Sequence, residues 1–266
     1  MVDFGFTVTI DGREYPAEDL ERYEYLRLIH MLHEFRQLDV DIRDGDRHLS
    51  HEDINWLEPA DAKRIAIAAR DTLGPDGIRD LFKERAANTD ARWRAINEVP
   101  VEQQGVWLAQ TDFAFRGLRL NPDLSWSLAG DPGGATTRPL MGRDPRGAIE
   151  VFPEHYAPAM ETIGMYGEPV IAAPVPARDI PPYVPVTPDP DFPVMGVAHI
   201  HLADDNSDTH LGVIHQFKPL PDGYLQRSIL FYPRNAPKIL GDGHKIHFAV
   251  EMVNDARLAY ERLRNA

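Results

Sequence analysis

His247 and Glu251 stand four residues apart in a segment whose apolar residues recur at helical spacing. Such a pair leaves one face of a helix, so an imidazole nitrogen and a carboxylate oxygen come within reach of a single ion. On spacing alone the pair reads as a surface His–Glu contact of small energetic weight. Six of the eleven histidines fall between His199 and His247, so nitrogen donors gather in the C-terminal third. His199 and His201 are two apart in a strand-like run and project from the same side. They could share a metal or stand as structural or solvated side chains. His215 shares its strand face with Leu211, Val213 and Phe217. A lone histidine there is either a satisfied core residue or, beside a substrate cavity, a neutral base poised near physiological pH.

Other chemistries are excluded by what the chain lacks. It contains no cysteine, which removes disulfides, Cys-ligated zinc, iron–sulfur clusters and thiolate nucleophiles. Phosphate-binding loops, dinucleotide-binding turns, serine-hydrolase elbows and HExxH helices are absent as well. Residues 39–50 superficially suggest a calcium loop, but Gly45 falls at the seventh position instead of the sixth and Ser50 occupies the twelfth. An acidic solvated turn is expected there.

The elements that must position the histidines follow from periodicity. Residues 4–10 alternate weakly and end at Asp11-Gly12, which predicts a strand and a turn. Tyr25, Leu28, Ile29, Leu32, Phe35 and Leu38 recur at three- and four-residue spacing, predicting a helix over 17–38 that carries His30 and His33. Further helices are predicted over 59–72, opened by Pro59 and closed by Gly74, and over 76–87. Beyond Trp107 the character turns to strand and loop. Residues 130–134 mark a glycine-rich connection. Nine prolines between 169 and 193 predict an extended crossing or a lid, neither helix nor central strand. Strands are predicted over 194–202, 210–220 and 224–232, the last two joined by a turn at Pro221-Asp222-Gly223. A closing helix over 245–264 carries Ile246, Ala249, Val250, Val253, Ala256, Tyr260 and Leu263 on one face. The expected fold is α+β: a mainly helical region over 1–105, then an antiparallel sheet over 106–266 gripping the C-terminal helix around a cavity.

Composition narrows the partners. The 266 residues are 43% hydrophobic and 26% charged, ordinary for a globular chain. With 28 basic against 42 acidic side chains the net charge is −14, a field that repels nucleic acid and anionic membranes. No signal peptide or membrane-length apolar run is visible, so a soluble, cytoplasmic protein is expected.

Three segments resemble the 2,4-diacetylphloroglucinol hydrolase and phloretin hydrolase family, metal-dependent carbon–carbon hydrolases with a START-like helix-grip fold. Residues 213–228 look like the family's strand–turn–strand, with His215, Gly223, Arg227 and Ser228 in register. Residues 247–256 are similar to its metal-binding closing helix. Residues 161–164 resemble the segment bringing a further glutamate. The resemblance covers about residues 155–260. It implies zinc held by Glu161, His247 and Glu251, with His215 as catalytic base. The family's upstream histidine ligand has no counterpart around Trp107, where Gln110 stands; His155, His199 or His201 are the available substitutes. A family tyrosine expected at the substrate oxygen falls near Leu230.

The expectation is therefore a zinc-dependent hydrolase of a carbon–carbon bond beside a carbonyl in an acylated phenolic or β-dicarbonyl compound. The alternative is a metal-free helix-grip protein that binds or cyclises an aromatic polyketide-like or other hydrophobic ligand. A third reading is an Fe(II)-dependent oxygenase using two histidines and one carboxylate. The N-terminal helices are left to cover the cavity mouth or form a homodimer.

Overall fold

The computed structural model describes residues 3–119, 149–150, 152–157, 160–162 and 169–265; the expected connection at 130–134 lies outside them. Strands β1 (Gly5–Ile10) and β2 (Arg13–Tyr15) form a hairpin whose two loop residues, Asp11 and Gly12, both take positive φ. That loop conformation matches the right-handed twist of paired strands, which is why the Asp-Gly signal is a turn. Helix α1 (Ala17–Gln37) follows, and its stripe buries Leu28, Met31, Leu32 and Phe35. The acidic stretch after it is a small hairpin, β3 (Arg43–Asp44) with β4 (Arg47–His48). Ser50 then caps α2 (His51–Asn55) in a reciprocal capping box with Asp53.

The span α3 (Pro59–Leu81) breaks at Gly74, as expected, into two helical segments. Gly74 takes φ 65° and kinks the helix, and Pro75 restarts it. A second break falls at Phe82, after which α4 (Lys83–Ile96) extends well beyond the predicted end at 87. A short α5 (Val101–Gln104) leads into β5 (Val106–Arg116). The remaining strands are β6 (His155–Ala157), β7 (Met160–Thr162), β8 (Pro169–Ala177), β9 (Val194–Leu202), β10 (Asp208–Leu220) and β11 (Gly223–Pro233); α6 (Lys238–Asn265) closes the chain.

The fold is α+β. Nine strands form one antiparallel sheet in the order β2-β1-β5-β11-β10-β9-β8-β7-β6. The helices α1–α5 are thus inserted between the second and fifth strands of a sheet that β1 already joins. Helix α6 packs on β5, β1 and β11. Phe113, Phe115, Val213 and Phe217 of the sheet close one core there with Phe248, Ala249 and Val253 of α6. Helices α1–α3 bury a second core that reaches Tyr156, Ala157 and Met160 of β6 and β7. A third lies on the opposite side of the sheet, where Val197, Ile214 and Phe231 meet Tyr183 and Val184. No helix among the described residues is long and apolar enough to cross a membrane.

The proline-rich stretch corrects its expectation. Residues 169–177 are strand β8, paired to β7 through 169–171 and to β9 through 172–177. Pro174 and Pro176 are two apart, so their missing donors point to the same edge, and the pairing with β7 ends at Ile171. Proline is tolerated where no neighbour needs the N–H.

The β10–β11 turn requires its glycine. A Cβ on Gly223 would lie 1.8 Å from the Phe115 carbonyl oxygen of the paired strand. Gly223→Ala is expected to destabilise the fold by at least about 2 kcal/mol in urea unfolding, because the clash is with backbone that cannot rotate away.

Candidate metal centre

Helix α6 is covered on two sides. Thr111 of β5 donates to the Lys245 carbonyl from the sheet, while Asn254 donates to Glu24 of α1 from the helical layer. The side away from β1, β5 and β11 carries His244, His247, Glu251 and Asn254, spaced at three and four residues, and all four are buried. The surface reading of the His247–Glu251 pair is therefore corrected: both side chains lie inside the protein because α1 and the β6–β7 hairpin cover them. A few tertiary contacts, invisible to spacing, decide this.

Opposite that stripe, His155 and Glu161 are direct cross-strand partners on β6 and β7. His155 Nε2 stands 2.7 Å from Glu161 Oε2 and 3.1 Å from His247 Nε2. His247 Nε2 is 3.9 Å from Glu161 Oε2 and 3.5 Å from Glu251 Oε2. The ligand atoms of His155, Glu161 and His247 all lie within 4.8 Å of one another. Two ligands sharing a zinc ion at about 2.0–2.2 Å are separated by roughly 3–4 Å; the separations of 3.1, 3.5 and 3.9 Å fall in that range, and the 2.7 Å between His155 and Glu161 is a hydrogen-bonding distance. Of the three histidines offered as fourth ligand, His155 is the one that converges.

His199 and His201 do not. They share the β9 face of Val197, on the far side of the sheet, and turn toward Asp208. His215 lies on the α6 side with Leu211, Val213 and Phe217. Its Nδ1 is 2.8 Å from Ser228 Oγ, to which Gln226 Nε2 also donates. Its ring meets the Phe248 ring at 5.8 Å, Phe248 meets His244 at 4.3 Å, and His244 stacks on His247 at 4.7 Å. A run of rings thus joins His215 to the metal-type cluster. Ile163 and Gly164 of the resembling segment lie outside the described residues. A surface cleft of about 500 Å³ opens elsewhere, between α3, α4 and Ile171, and mixes acidic and basic side chains.

The electrostatics suit a cation. Burial drives His247 well below the ordinary histidine range, aided by its neighbours His244 and His155, and lowers His244 to about 4. Burial pushes the Glu251 carboxyl up. Burial also opposes ionisation of Glu161, but the charge and hydrogen bond of His155 outweigh it and hold that carboxyl below its usual range. The neutral His247 imidazole and the Glu161 carboxylate are donors of the kind a divalent ion binds, and such an ion would take the place of the proton on His155. His247 Nδ1 is buried without a hydrogen-bond partner among the described residues. Glu161 keeps 28% of its side chain exposed, so the cluster meets solvent at that carboxylate.

Three anchors that spacing does not reveal hold the His155 segment. The Arg27 guanidinium forms a two-armed ion pair with buried Glu154. The Tyr156 hydroxyl donates to Glu34 at 2.5 Å. The fully buried Arg70 donates through Nη1 to the carbonyls of Phe152, Pro153 and His155, at 3.2, 2.9 and 2.8 Å. Arg70 continues the buried Ala62, Ala66 row at four-residue spacing, so an arginine inside an apolar stripe is the signal a sequence carries for it. His244, one turn before His247, is equally visible in the pattern.

No family model, curated protein or solved structure matches the chain. The functional reading therefore rests on this geometry, for the metal, and on the resemblance of the three sequence segments, for the reaction.

Glu251 gives one test in metal-free protein. Its folded pKa is raised above the unfolded value near 4.3. Its stabilising contribution is thus complete below that pH and is lost as pH rises through the folded value. In EDTA, Glu251→Gln is expected to match the parent near pH 4.5 and to exceed it by about 1–3 kcal/mol at pH 8 in urea unfolding. A variant less stable than the parent at pH 8 would show that the carboxylate is already paired.

Proposed function

We propose that this protein is a zinc-dependent hydrolase that cleaves a carbon–carbon bond next to a carbonyl in an acylated phenolic or related β-dicarbonyl compound. The observation that carries the reading is the convergence of His155, Glu161 and His247 from separate chain segments, with Glu251 beside them. The packing of α6 on β1, β5 and β11 supports a START-like helix-grip reading of the α+β fold. His155, Glu161, His247 and Glu251 would hold the metal. Zinc, when bound, supplies Lewis acidity toward a carbonyl or lowers the pKa of water. His215 is the proton-moving group: Ser228 anchors its Nδ1, Gln226 orders that hydroxyl, and Nε2 exchanges the proton. Hydrolysis adds the elements of water across the bond. The acyl carbon takes hydroxyl to become a carboxylic acid, and the ring carbon takes the proton that His215 delivers.

Protein prepared without chelator should carry about one zinc and release a carboxylic acid from an acylphenol, with His215→Ala losing turnover but keeping the metal. No bound zinc, and none gained on addition, would overturn the reading. A metal-free ligand-binding role is disfavoured by the position of Glu161, which stands beside α6 instead of facing away from it. The two-histidine, one-carboxylate grouping favours a second reading, an Fe(II)-dependent oxygenase. Consumption of oxygen during turnover would select it.

A further inference from the structure

His247 lacks the restraint that a metal-binding histidine ordinarily has. Such a ring donates its other N–H to a carbonyl, a carboxylate or water, and that bond fixes its orientation. His247 Nε2 faces the cluster, 3.1 Å from His155 Nε2 and 3.5 Å from Glu251 Oε2. Its Nδ1 is buried with no hydrogen-bond partner among the described residues. The outer torsion of an imidazole is broad and roughly two-fold when nothing holds it. Something other than a hydrogen bond must therefore set the ring.

Two other rings do so. Phe152 lies over the imidazole at a centroid separation of 3.8 Å with 25° between the planes, and His244 lies 4.7 Å away at 15°. Two near-parallel rings at these distances would overlap if they shared one face, so they occupy opposite faces and His247 is sandwiched between them. Turning the imidazole edge-on would drive it into one ring or the other, because the separations are already close to van der Waals contact. The sandwich fixes the plane, and the donors around Nε2 select between its two flips. Phe152, His244 and His247 are 1%, 4% and 0% exposed, so no solvent-filled gap lets the rings part.

The two jaws come from different parts of the chain. His244 precedes His247 by three residues on α6, which makes their side chains neighbours on consecutive turns. The Phe248 ring meets His244 edge-on at 4.3 Å and backs that jaw. Phe152 lies in the segment before β6, where its carbonyl accepts from Arg70 Nη1 at 3.2 Å. The same Nη1 holds the His155 carbonyl at 2.8 Å. One arginine thus ties the backbone of the second jaw to that of a neighbouring cluster residue.

We propose that Phe152 and His244 are positioning residues that aim His247 at the metal, doing by stacking what a hydrogen bond to Nδ1 does elsewhere. The effect on metal binding rests on the proposed zinc site. The clamp rests on ring geometry alone, so the two can fail separately.

Two measurements on the full chain, labelled at histidine, test this. In EDTA, NMR relaxation of the His247 ring Cε1–H should give an order parameter near that of rigid backbone, about 0.85, in the parent and in His244→Phe. In His244→Leu and Phe152→Leu, which fill the space without a ring, it should fall below about 0.6. Zinc affinity, measured by chelator competition, should weaken by about 10-fold in both leucine variants and match the parent in His244→Phe. Should His244→Phe fail to fold, Phe152→Tyr serves as the ring-keeping variant. Unchanged ring order in both leucine variants overturns the clamp, and unchanged zinc affinity in both overturns its positioning role. A ring-keeping variant that loses as much as its leucine counterpart overturns stacking as the cause. If the parent binds no zinc, the hydrolase reading fails while ring order still decides the clamp.

Discussion

His247→Ala is expected to lose its zinc, with affinity falling by more than about 100-fold, and to lose turnover with it. Removing an outer partner of a metal site already weakens it by about 10- to 100-fold, and in the proposed site His247 would be a direct donor. Its Nε2 faces three other donors, at 3.1 Å from His155, 3.5 Å from Glu251 and 3.9 Å from Glu161. The ring is fully buried and stacks on Phe152 at 3.8 Å. Truncation therefore also leaves a void that costs about 2–4 kcal/mol. Glu161→Gln separates the two effects. It keeps the shape, sits where the cluster meets solvent, and removes only the charge that offsets the ion. Competition with a chromogenic chelator should show the same loss of zinc in both variants, while thermal unfolding in EDTA should drop further in His247→Ala, which leaves a void, than in Glu161→Gln, which loses only the pairing with His155. Retention of zinc by both would mean that this cluster is a protonated network and not a metal site.

The difference between the two carboxylates bears on what the amino-acid pattern can reveal. Glu251 is legible as a partner of His247 because both obey the 3.6-residue period of one helix. Their burial is not legible, since it depends on α1 and the β6–β7 hairpin folding over a helix whose other side already faces the sheet. Glu161 and His155 come together only through strand pairing, and a resemblance to known metal-binding segments is the sole pointer to them in the sequence. The same contrast runs through the fold. The Asp11-Gly12 turn, the α1 stripe and β9–β11 are local signals, and the structure has them. The β8 strand is not local: prolines argue against it until the short reach of β7 is known. His199 and His201 share a face as two-residue spacing requires, but which side of the sheet that is follows from where Val197 packs.

Arg70→Met is expected to destabilise the protein by about 3–5 kcal/mol, the second large effect, and to weaken zinc binding besides. Burial lowers the Arg70 guanidinium only to about 10, so it remains charged at neutral pH inside the helical layer. Its charge has no carboxylate in hydrogen-bonding contact among the described residues; Nη1 meets the carbonyls of Phe152, Pro153 and His155, and Nε meets that of Ala66. Methionine fills comparable space but leaves those acceptors buried and unpaired, at about 1–3 kcal/mol each before relaxation. Two of the three carbonyls come just before Glu154, whose side chain Arg27 fixes, and the third belongs to His155 itself. In the proposed site the N-terminal helices would thus act on the metal by holding the backbone that presents His155. That view makes a sharper demand than a loss of stability. In a His155→Ala background, Arg70→Lys should no longer change zinc affinity, whereas in the parent it should weaken it by about 10-fold, a value typical of outer-shell losses. Equal effects in the two backgrounds would make Arg70 a packing residue whose influence does not pass through His155.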